Sequence, residues 1–117
     1  MITPKDLTQK QLNHLKIQAA LSYIEGHLSE ELSLKIVAEA AHTSPFHFHR
    51  LFRMATGETS NDYIVRLRVE GAATMIQYGP QLSFSHIANS MGFNSLANFS
   101  RVFQKWFVQS PSEFRKN

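Results

Sequence analysis

The sequence predicts an all-α fold of about seven helices, arranged as two helix-turn-helix subdomains that a long central helix bridges. Apolar residues recur at three- and four-residue spacing through most of the 117 residues. Ser, Thr or Ser-Pro precedes these periodic segments and Gly follows several of them, as at helix starts and ends. The sequence contains no alternating apolar run bounded by hairpin turns, so no strand is predicted.

The N-terminal part of the chain predicts an arm and then a first subdomain at residues 12–57. Residues 1–11 are mostly polar and contain Pro4, so we expect a flexible arm or linker. Pro45 suits the first position of a helix because it lacks the N–H that would have no partner there. The expected helices run from Leu12 to about Leu28, from the cap Ser33 through Ala40, and from Ser44-Pro45 to Thr56, before Gly57.

A linker helix is predicted within residues 58–79, starting at Thr59-Ser60 and ending at Tyr78 before Gly79-Pro80. Residues 80–117 then predict a second subdomain with three further helices. The helix starts expected there are Ser83 or Ser85, Asn94 or Ser95, and Ser110-Pro111.

The two subdomains resemble each other in sequence. Leu32-Ser33-Leu34 matches Leu82-Ser83-Phe84 at a separation of fifty residues. Phe48, Arg50 and Phe52 match Phe99, Arg101 and Phe103 at a separation of fifty-one residues. The extra residue falls around Gly92-Phe93-Asn94, where a turn accommodates it. Each copy has the outline of a helix-turn-helix, and two matched copies favour DNA binding over an ordinary helical bundle.

Composition excludes several functional classes. The chain has no Cys, a formal charge of +3 and a pI near 9.5, so disulfides and thiolate metal sites are excluded and a nucleic-acid partner is permitted. No apolar run approaches the ~20 residues of a membrane span, and the start does not resemble a signal peptide. A cytoplasmic protein is therefore expected.

Metal binding and catalysis are not predicted. His47 and His49 are two residues apart, and on a helix such residues point about 200° apart, so their rings cannot share one ion. The sequence contains no Gly-rich phosphate loop, Ser/His/Asp spacing or closely paired carboxylates. We expect no cofactor and no enzyme activity.

The helix at 44–56 has two opposite faces. Phe48, Leu51, Phe52 and Ala55 have the spacing of a core-facing stripe. The opposite stripe consists of Phe46, His49, Arg50 and Arg53. A Phe among cationic side chains is unusual for a solvated surface and suits a DNA major groove, where an aromatic edge contacts a thymine methyl and Arg binds guanine.

The helix at 95–107 repeats this arrangement. Its predicted core stripe is Phe99, Val102, Phe103 and Trp106. Its opposite face carries Ala97, Ser100, Arg101 and Gln104, with Leu96 and Asn98 near the start of the helix. Arg, Asn, Gln and Ser are side chains that match base edges.

Other side chains are candidates for phosphate contacts. Helix N-termini and short polar side chains bind phosphate readily. The candidates are Ser44, His47, Arg53, Thr59, Ser95, Gln104 and Lys105. Several alternatives stay open: Phe46 as an isolated surface aromatic, Arg53 as a solvated charge near Glu58, and Arg50 or Arg101 paired within the protein.

The motifs together resemble the DNA-binding domain of AraC/XylS-type transcription regulators. The resemblance rests on the segment from Ser44 to Arg53 with Thr56-Gly57, and on Ile87-Ala88, Gly92-Phe93, 99–103 and 110–115. It covers about residues 12–116 and implies a bacterial regulator, more often an activator, that contacts RNA polymerase and is associated with the nucleoid. It implies base contacts by Phe46, His49 and Arg50, and by Leu96, Ala97, Asn98, Ser100 and Arg101.

The resemblance also implies that two unlike helices read successive major-groove segments of double-stranded DNA. A bridging helix of about twenty residues is about 30 Å long, close to the ~34 Å between equivalent grooves. Val108 stands near a position where the family commonly has Gly, and Val disfavours the left-handed conformation, so we expect that turn to be built differently. His42 stands where some members have Gly.

Two broader alternatives remain. Many members of this family carry a separate sensor or dimerisation domain, so a free-standing regulator and a domain of a longer protein are both possible. A helical protein–protein adaptor, which would use the Phe46/Arg50 face on an acidic partner, is the alternative function.

Overall fold

The computed structural model describes residues 3–117, which form seven α-helices and contain no strand. A short 3-10 helix at Pro4–Asp6 precedes them. The helices are α1 (Gln9–Gly26), α2 (Leu34–Ala40), α3 (Pro45–Thr56), α4 (Ser60–Tyr78), α5 (Phe84–Ser90), α6 (Leu96–Phe107) and α7 (Pro111–Lys116). The predicted all-α fold is confirmed.

Every one of these seven helices begins after a Ser or Thr whose hydroxyl accepts the backbone N–H three residues later. This bond satisfies one of the N–H groups that a helix start leaves without a partner. The caps are Thr8, Ser33, Ser44, Thr59, Ser83, Ser95 and Ser110. Where the sequence left two caps open, the structure selects Ser83 over Ser85 and Ser95 over Asn94.

Helix α1 begins three residues before the expected start at Leu12. Thr8 and Gln11 form a capping box, in which the Thr8 hydroxyl accepts the Gln11 N–H and the Gln11 side chain accepts the Thr8 N–H. Residues 9–11 are therefore helical rather than part of a flexible arm. Residues 1–2 of the expected arm lie outside the described residues.

The internal repeat is present in the fold. Helices α2 and α5 both have 7 residues, and α3 and α6 both have 12 residues. The turn between α5 and α6 holds the extra residue. Equivalent rings also meet in the same way: Phe52 contacts Tyr63 edge-on at 5.6 Å, and Phe103 contacts Phe114 edge-on at 5.4 Å between ring centroids.

The chain divides into two compact units. The first comprises the described part of residues 1–27 together with residues 32–63. Its core is apolar and draws on α1, α2 and α3. The buried apolar side chains are Ile17, Ala20, Ile24, Val37, Ala38, Ala41, Phe48, Leu51 and Phe52.

The second unit comprises residues 28–31 and 64–117. Its buried core consists of Val69, Ala72, Ala73, Ile76, Ile87, Ala88, Phe99 and Phe103. Phe107 and Phe114 pack against this core and contact Phe103 at 4.7 and 5.4 Å between centroids. The Phe side chains of the α6 stripe therefore lie in the core of the second unit, as expected.

Arg68 holds the segment 28–31 within the second unit. Its Nε donates to the Leu28 carbonyl at 3.1 Å and its Nη2 to the Glu30 carbonyl at 2.6 Å. Partial burial lowers the pKa of the Arg68 guanidinium from its usual value. Gly92 lies against the Leu28 carbonyl, so closely that a Cβ on residue 92 would be 2.3 Å from the Leu28 oxygen.

Two residues predicted for the core stripes are instead exposed. Ala55 is exposed and lines an open groove beside α1 together with Met54 and Ile17. Trp106 is 42% exposed, and Val102 is only half-buried. Both exposed residues lie in the last turn of their helix. The apolar stripe continues there, but the core covers only the earlier turns.

The turn after α6 also differs from the expectation. Val108 has φ 58° and ψ 21° and so adopts the left-handed conformation that a C-terminal Gly usually provides. The turn is therefore built in the same way as the turn at Gly57 after α3, with φ 82°.

Within residues 3–117, the structure has no helix with the length and apolarity needed to cross a membrane.

Candidate nucleic-acid interface

Helix α3 buries one side and exposes the other. Phe48, Leu51 and Phe52 are buried in the first unit, and Phe48 and Phe52 contact each other at 5.5 Å between centroids. The four side chains of the opposite stripe, Phe46, His49, Arg50 and Arg53, are all exposed. The sequence therefore predicted the orientation of this helix from its spacing.

Phe46 and Arg50 form a pair on the exposed face of α3. Phe46 is 75% exposed, which is unusual for an aromatic ring of this size. The Arg50 guanidinium carbon lies 6.0 Å from the centroid of the Phe46 ring, at the outer limit of a cation–π contact. The face thus presents an apolar ring beside a cation, a combination that matches a thymine methyl next to a guanine.

Helix α6 has the same orientation in the second unit. Phe99 and Phe103 are fully buried, while Ala97, Arg101 and Gln104 are exposed. Leu96 is 45% exposed at the first position of the helix, and Ser100 is half-buried. The position of Phe46 in the repeat is occupied by Ala97, so the α6 face is flatter and can approach a partner more closely.

Arg101 makes a hydrogen bond within α6. Its Nη2 donates to the Asn98 side-chain oxygen at 2.6 Å. Asn98 is half-buried, and its backbone N–H donates to the Ser95 hydroxyl at 3.0 Å. One of the open alternatives, pairing of Arg101 inside the protein, is therefore realised with an uncharged partner that leaves the positive charge in place.

The residues proposed for phosphate contact lie mainly at helix ends. Ser44 and Ser95 cap α3 and α6, so each hydroxyl accepts one backbone N–H and keeps its own proton to donate. His47, Arg53, Gln104 and Lys105 are exposed on the same two helices.

Thr59 lies apart from these residues. It follows Gly57 at the opposite end of α3 from Ser44, is half-buried, and caps α4 through the Asp62 N–H. It is the one predicted site residue that neither α3 nor α6 carries or caps.

The electrostatics of both helices favour an anionic partner. Helix α3 contains two Arg and two His and no acidic residue, and α6 contains Arg101 and Lys105 and no acidic residue. The whole stretch from Gly71 to Ser112 lacks Asp and Glu. Positive charge on helices that carry no acidic residue of their own attracts a phosphate backbone.

Sequence reasoning found the exposed faces but missed the Asn98–Arg101 contact. The signal was present, because residues three apart on a helix are neighbours.

No group of three or more His, Cys, Asp or Glu side chains within residues 3–117 is arranged to hold a metal ion.

Comparison with known proteins gives consistent matches. A family model described as a helix-turn-helix domain matches residues 37–117. The regulatory protein SoxS of Escherichia coli strain K12 is 33% identical over 105 residues, which cover 89% of this chain and 97% of SoxS. The regulatory protein PocR of Salmonella typhimurium is 32% identical over 101 residues, 86% of this chain but only 33% of PocR. The chain thus spans about a third of one relative and nearly all of the other.

Solved structures share the fold. An AraC-type transcriptional regulator from Chromobacterium violaceum superposes with a TM-score of 0.78 at 29% identity, over 86% of this chain and 89% of that one. The DNA-binding domain of the global transcriptional factor AdpA, solved with a target DNA, superposes with a TM-score of 0.80 over 87% of this chain and 90% of that one. At 24% identity, AdpA supports the fold alone.

Proposed function

Because the chain belongs to the AraC/XylS-type family of helix-turn-helix transcription regulators, we propose that it recognises a specific DNA sequence by inserting α3 and α6 into two adjacent major-groove segments. As a member of this family it is a DNA-binding transcription regulator that binds double-stranded DNA, and it is not an enzyme. In this proposal residues 12–57 and 80–117 are the two DNA-reading subdomains, and residues 58–79 connect them.

One observation carries the proposal. Arg50 and Arg101 occupy the same position in the two copies of the repeat, and both are exposed on the side of the helix opposite a buried Phe pair. Helices that pack by one face and expose a matching Arg on the other suit major-groove recognition, where Arg binds guanine O6 and N7 through two donors.

We assign base contacts in the first segment to Phe46, His49 and Arg50. Arg50 would bind a guanine, and the exposed Phe46 ring would contact a thymine methyl beside it. His49 lies one turn from Phe46 on the same face and can donate to or accept from a base edge.

We assign base contacts in the second segment to Leu96, Ala97, Asn98, Ser100 and Arg101. Leu96 and Ala97 lack hydrogen-bonding groups, so fewer bases are read through polar contacts. Specificity in this segment therefore depends more on phosphate contacts and on DNA shape. Phosphate contacts along both segments are assigned to Ser44, His47, Arg53, Thr59, Ser95, Gln104 and Lys105.

The regulatory outcome that fits the family is activation through contact with RNA polymerase on nucleoid DNA in the cytoplasm. Transcription in vitro from a promoter that carries the selected site tests this part separately. More transcript in the presence of the protein supports activation, and less transcript shows repression.

The test of the proposal is selection of bound duplexes from a random pool, followed by binding measurements on single-base variants. Arg50→Ala and Arg101→Ala should each cost about 1–3 kcal/mol on the selected site and relax preference at separate base pairs. Lys116→Ala, which removes an exposed cation outside the assigned surface, is the matched control. It should leave base preference unchanged.

Salt and competitor DNA separate this function from a protein–protein adaptor. Duplex binding should fall steeply with salt, since each phosphate contact adds about −0.9 to the slope of log K against log salt. Equal affinity for the selected and a random duplex would contradict sequence recognition. The absence of any salt-dependent duplex binding would favour the adaptor.

A further inference from the structure

The Asn98–Arg101 pair fixes the direction of an amide on the face of α6 that is assigned to DNA. Arg has only hydrogen-bond donors, so the Asn98 group that meets Arg101 Nη2 at 2.6 Å must be the oxygen. The Asn98 NH2 group therefore points away from Arg101. A hydrogen bond to a charged donor at this distance belongs to the strong class.

Asn98 is itself held in place on the helix. Its backbone N–H donates to the Ser95 hydroxyl at 3.0 Å, and its side chain is half-buried while Arg101 is exposed. A long exposed Arg normally loses rotamer freedom when it binds, and this loss weakens binding. A partner that already restricts the guanidinium in the free protein reduces that cost.

The donor count of Arg101 is compatible with reading a base at the same time. A guanidinium has five N–H donors, and Asn98 uses one of them. Recognition of guanine O6 and N7 needs two. Bidentate recognition of adenine by Asn98 itself would need its oxygen and its NH2 group to face the base together, whereas the bond to Arg101 turns the oxygen towards Arg101.

We propose that Asn98 is a positioning residue, which orients Arg101 for guanine in the second major-groove segment. This role replaces the direct base contact that the family analogy assigns to Asn98. This inference rests on the proposed function. The Asn98 NH2 group is left to donate to an acceptor such as a phosphate oxygen. In the first segment the equivalent position is His47, and the neighbour of Arg50 is the Phe46 ring at 6.0 Å, so the two reading arginines are oriented by different chemistry.

The experiment compares Asn98→Leu, Asn98→Asp, Arg101→Ala and the double variant Asn98→Leu/Arg101→Ala on single-base variants of the selected duplex. Asn98→Leu removes the acceptor and should reduce discrimination at the base pairs that depend on Arg101 by about three- to tenfold. Asn98→Asp keeps an acceptor and should preserve that discrimination, with weaker binding to every duplex because a carboxylate repels phosphate. In the double variant, Asn98→Leu should remove no further discrimination.

Controls separate positioning from a loss of fold. Asn89→Leu, the same substitution at an exposed position of α5 to which no DNA contact is assigned, should leave preference at the Arg101 base pairs unchanged. Thermal unfolding of each variant should be close to that of the unmodified chain, because Leu is a good helix former and an acidic residue in the first turn suits the helix N-terminus.

Several outcomes would overturn the inference. Equal loss on all duplexes in Asn98→Leu, with base discrimination unchanged, would make Asn98 a phosphate contact only. Altered preference at base pairs that Arg101→Ala leaves unchanged would make Asn98 a base reader. If the unmodified chain had no sequence preference, the proposed function would fail as a whole. If Arg101→Ala relaxed preference and Asn98→Leu left it intact, this inference alone would fail.

Discussion

Two backbone positions in each copy of the repeat have a positive φ. One lies in the turn between the paired helices, at His42 with φ 55° and Gly92 with φ 78°, and the other ends the longer helix, at Gly57 with φ 82° and Val108 with φ 58°. Each copy therefore has Gly at only one of its two left-handed positions. A side chain at such a position costs about 1–2 kcal/mol.

Val108→Gly should stabilise the protein by about 0.5–1 kcal/mol. The change relieves left-handed strain at a β-branched residue, and the greater freedom of Gly in the unfolded chain offsets part of the gain. Little packing is lost, because Val108 is 87% exposed. Chemical denaturation measures the effect, with Val108→Ala as the control that removes the branch but keeps a Cβ. A destabilised Val108→Gly would show that the side chain contributes contacts that outweigh the strain.

The two glycines with a positive φ, Gly57 and Gly92, would respond differently to an added side chain. A Cβ on Gly92 would meet the Leu28 carbonyl oxygen at 2.3 Å and the Arg68 side chain at 2.9 Å, whereas a Cβ on Gly57 meets nothing within 4 Å. Gly92 is thus favoured by its φ and required by close packing, whereas Gly57 is favoured by its φ alone.

Individual side chains of the candidate surface were predictable where helical spacing alone decides exposure. Phe46, His49 and Arg50 are exposed because Phe48 and Phe52 are buried on the same helix. The hydrogen bond between Asn98 and Arg101 was not predicted, because spacing shows which residues are neighbours and not which rotamers bring their polar atoms together.

At the scale of single helices, local chemistry accounts for where each helix begins. A Ser or Thr hydroxyl binds the N–H three residues later at all seven starts in residues 3–117. The start of α1 was placed too late because the pairing of Thr8 with Gln11 is a capping box, a signal that apolar periodicity does not register.

Glu113 makes the start of α7 sensitive to acid. Hydrogen bonds from the Ser110 N–H and hydroxyl, and then the charge of Lys116, hold the pKa of the Glu113 carboxyl below its usual value. A lowered pKa means that the ionised form stabilises the fold at pH values above about 4.3, the ordinary value for glutamate. This contribution is lost as the pH falls through the lowered pKa.

Glu113→Gln should therefore reduce the acid sensitivity of the second unit. Gln keeps an acceptor for the Ser110 N–H but does not titrate. Stability measured between pH 7 and pH 3 should fall less for the variant than for the unmodified chain, with the variant slightly less stable at pH 7. Glu31→Gln, which changes an exposed acid, is the comparison. Parallel pH curves for Glu113→Gln and the unmodified chain would contradict this role.

Phe103 and Trp106 of α6 should contribute unequally to the stability of the second unit. Phe103→Ala should destabilise by about 3–5 kcal/mol, because the ring is fully buried and contacts three other Phe rings. Trp106→Ala should cost only about 1–2 kcal/mol, because that ring is partly exposed. Urea unfolding measures both, and similar losses would show that Trp106 belongs to the core, as its spacing alone suggests.

Spacing misplaced Ala55 and Trp106 for a physical reason. A periodic stripe predicts a direction along the whole helix, but burial also requires a neighbouring element at that height. Ala55 lies where the groove between α1 and α3 is open, and Trp106 lies one residue before the end of α6. The extent of a core depends on contacts between elements that are distant in sequence.

For the whole molecule, the repeat explains why so much of the fold was predictable. Matching helix lengths, matching caps and matching edge-on ring pairs occur in both copies. Each copy thus served as an independent reading of the same pattern. Longer-range features, such as the hold of Arg68 on residues 28–31, have no counterpart in local spacing and became apparent only in the structure.

Two reading helices in one chain should make binding depend on the spacing of the two halves of the selected site. Five base pairs inserted between these halves rotate one half by about half a turn, so that it faces away when the other is bound. We expect affinity to fall by roughly 10²-fold or more, towards the non-specific level. The same five base pairs placed outside the site are the control and should have no effect. If the insertion between the halves is also without effect, a single helix reads the whole site, and the proposal of two adjacent segments is wrong.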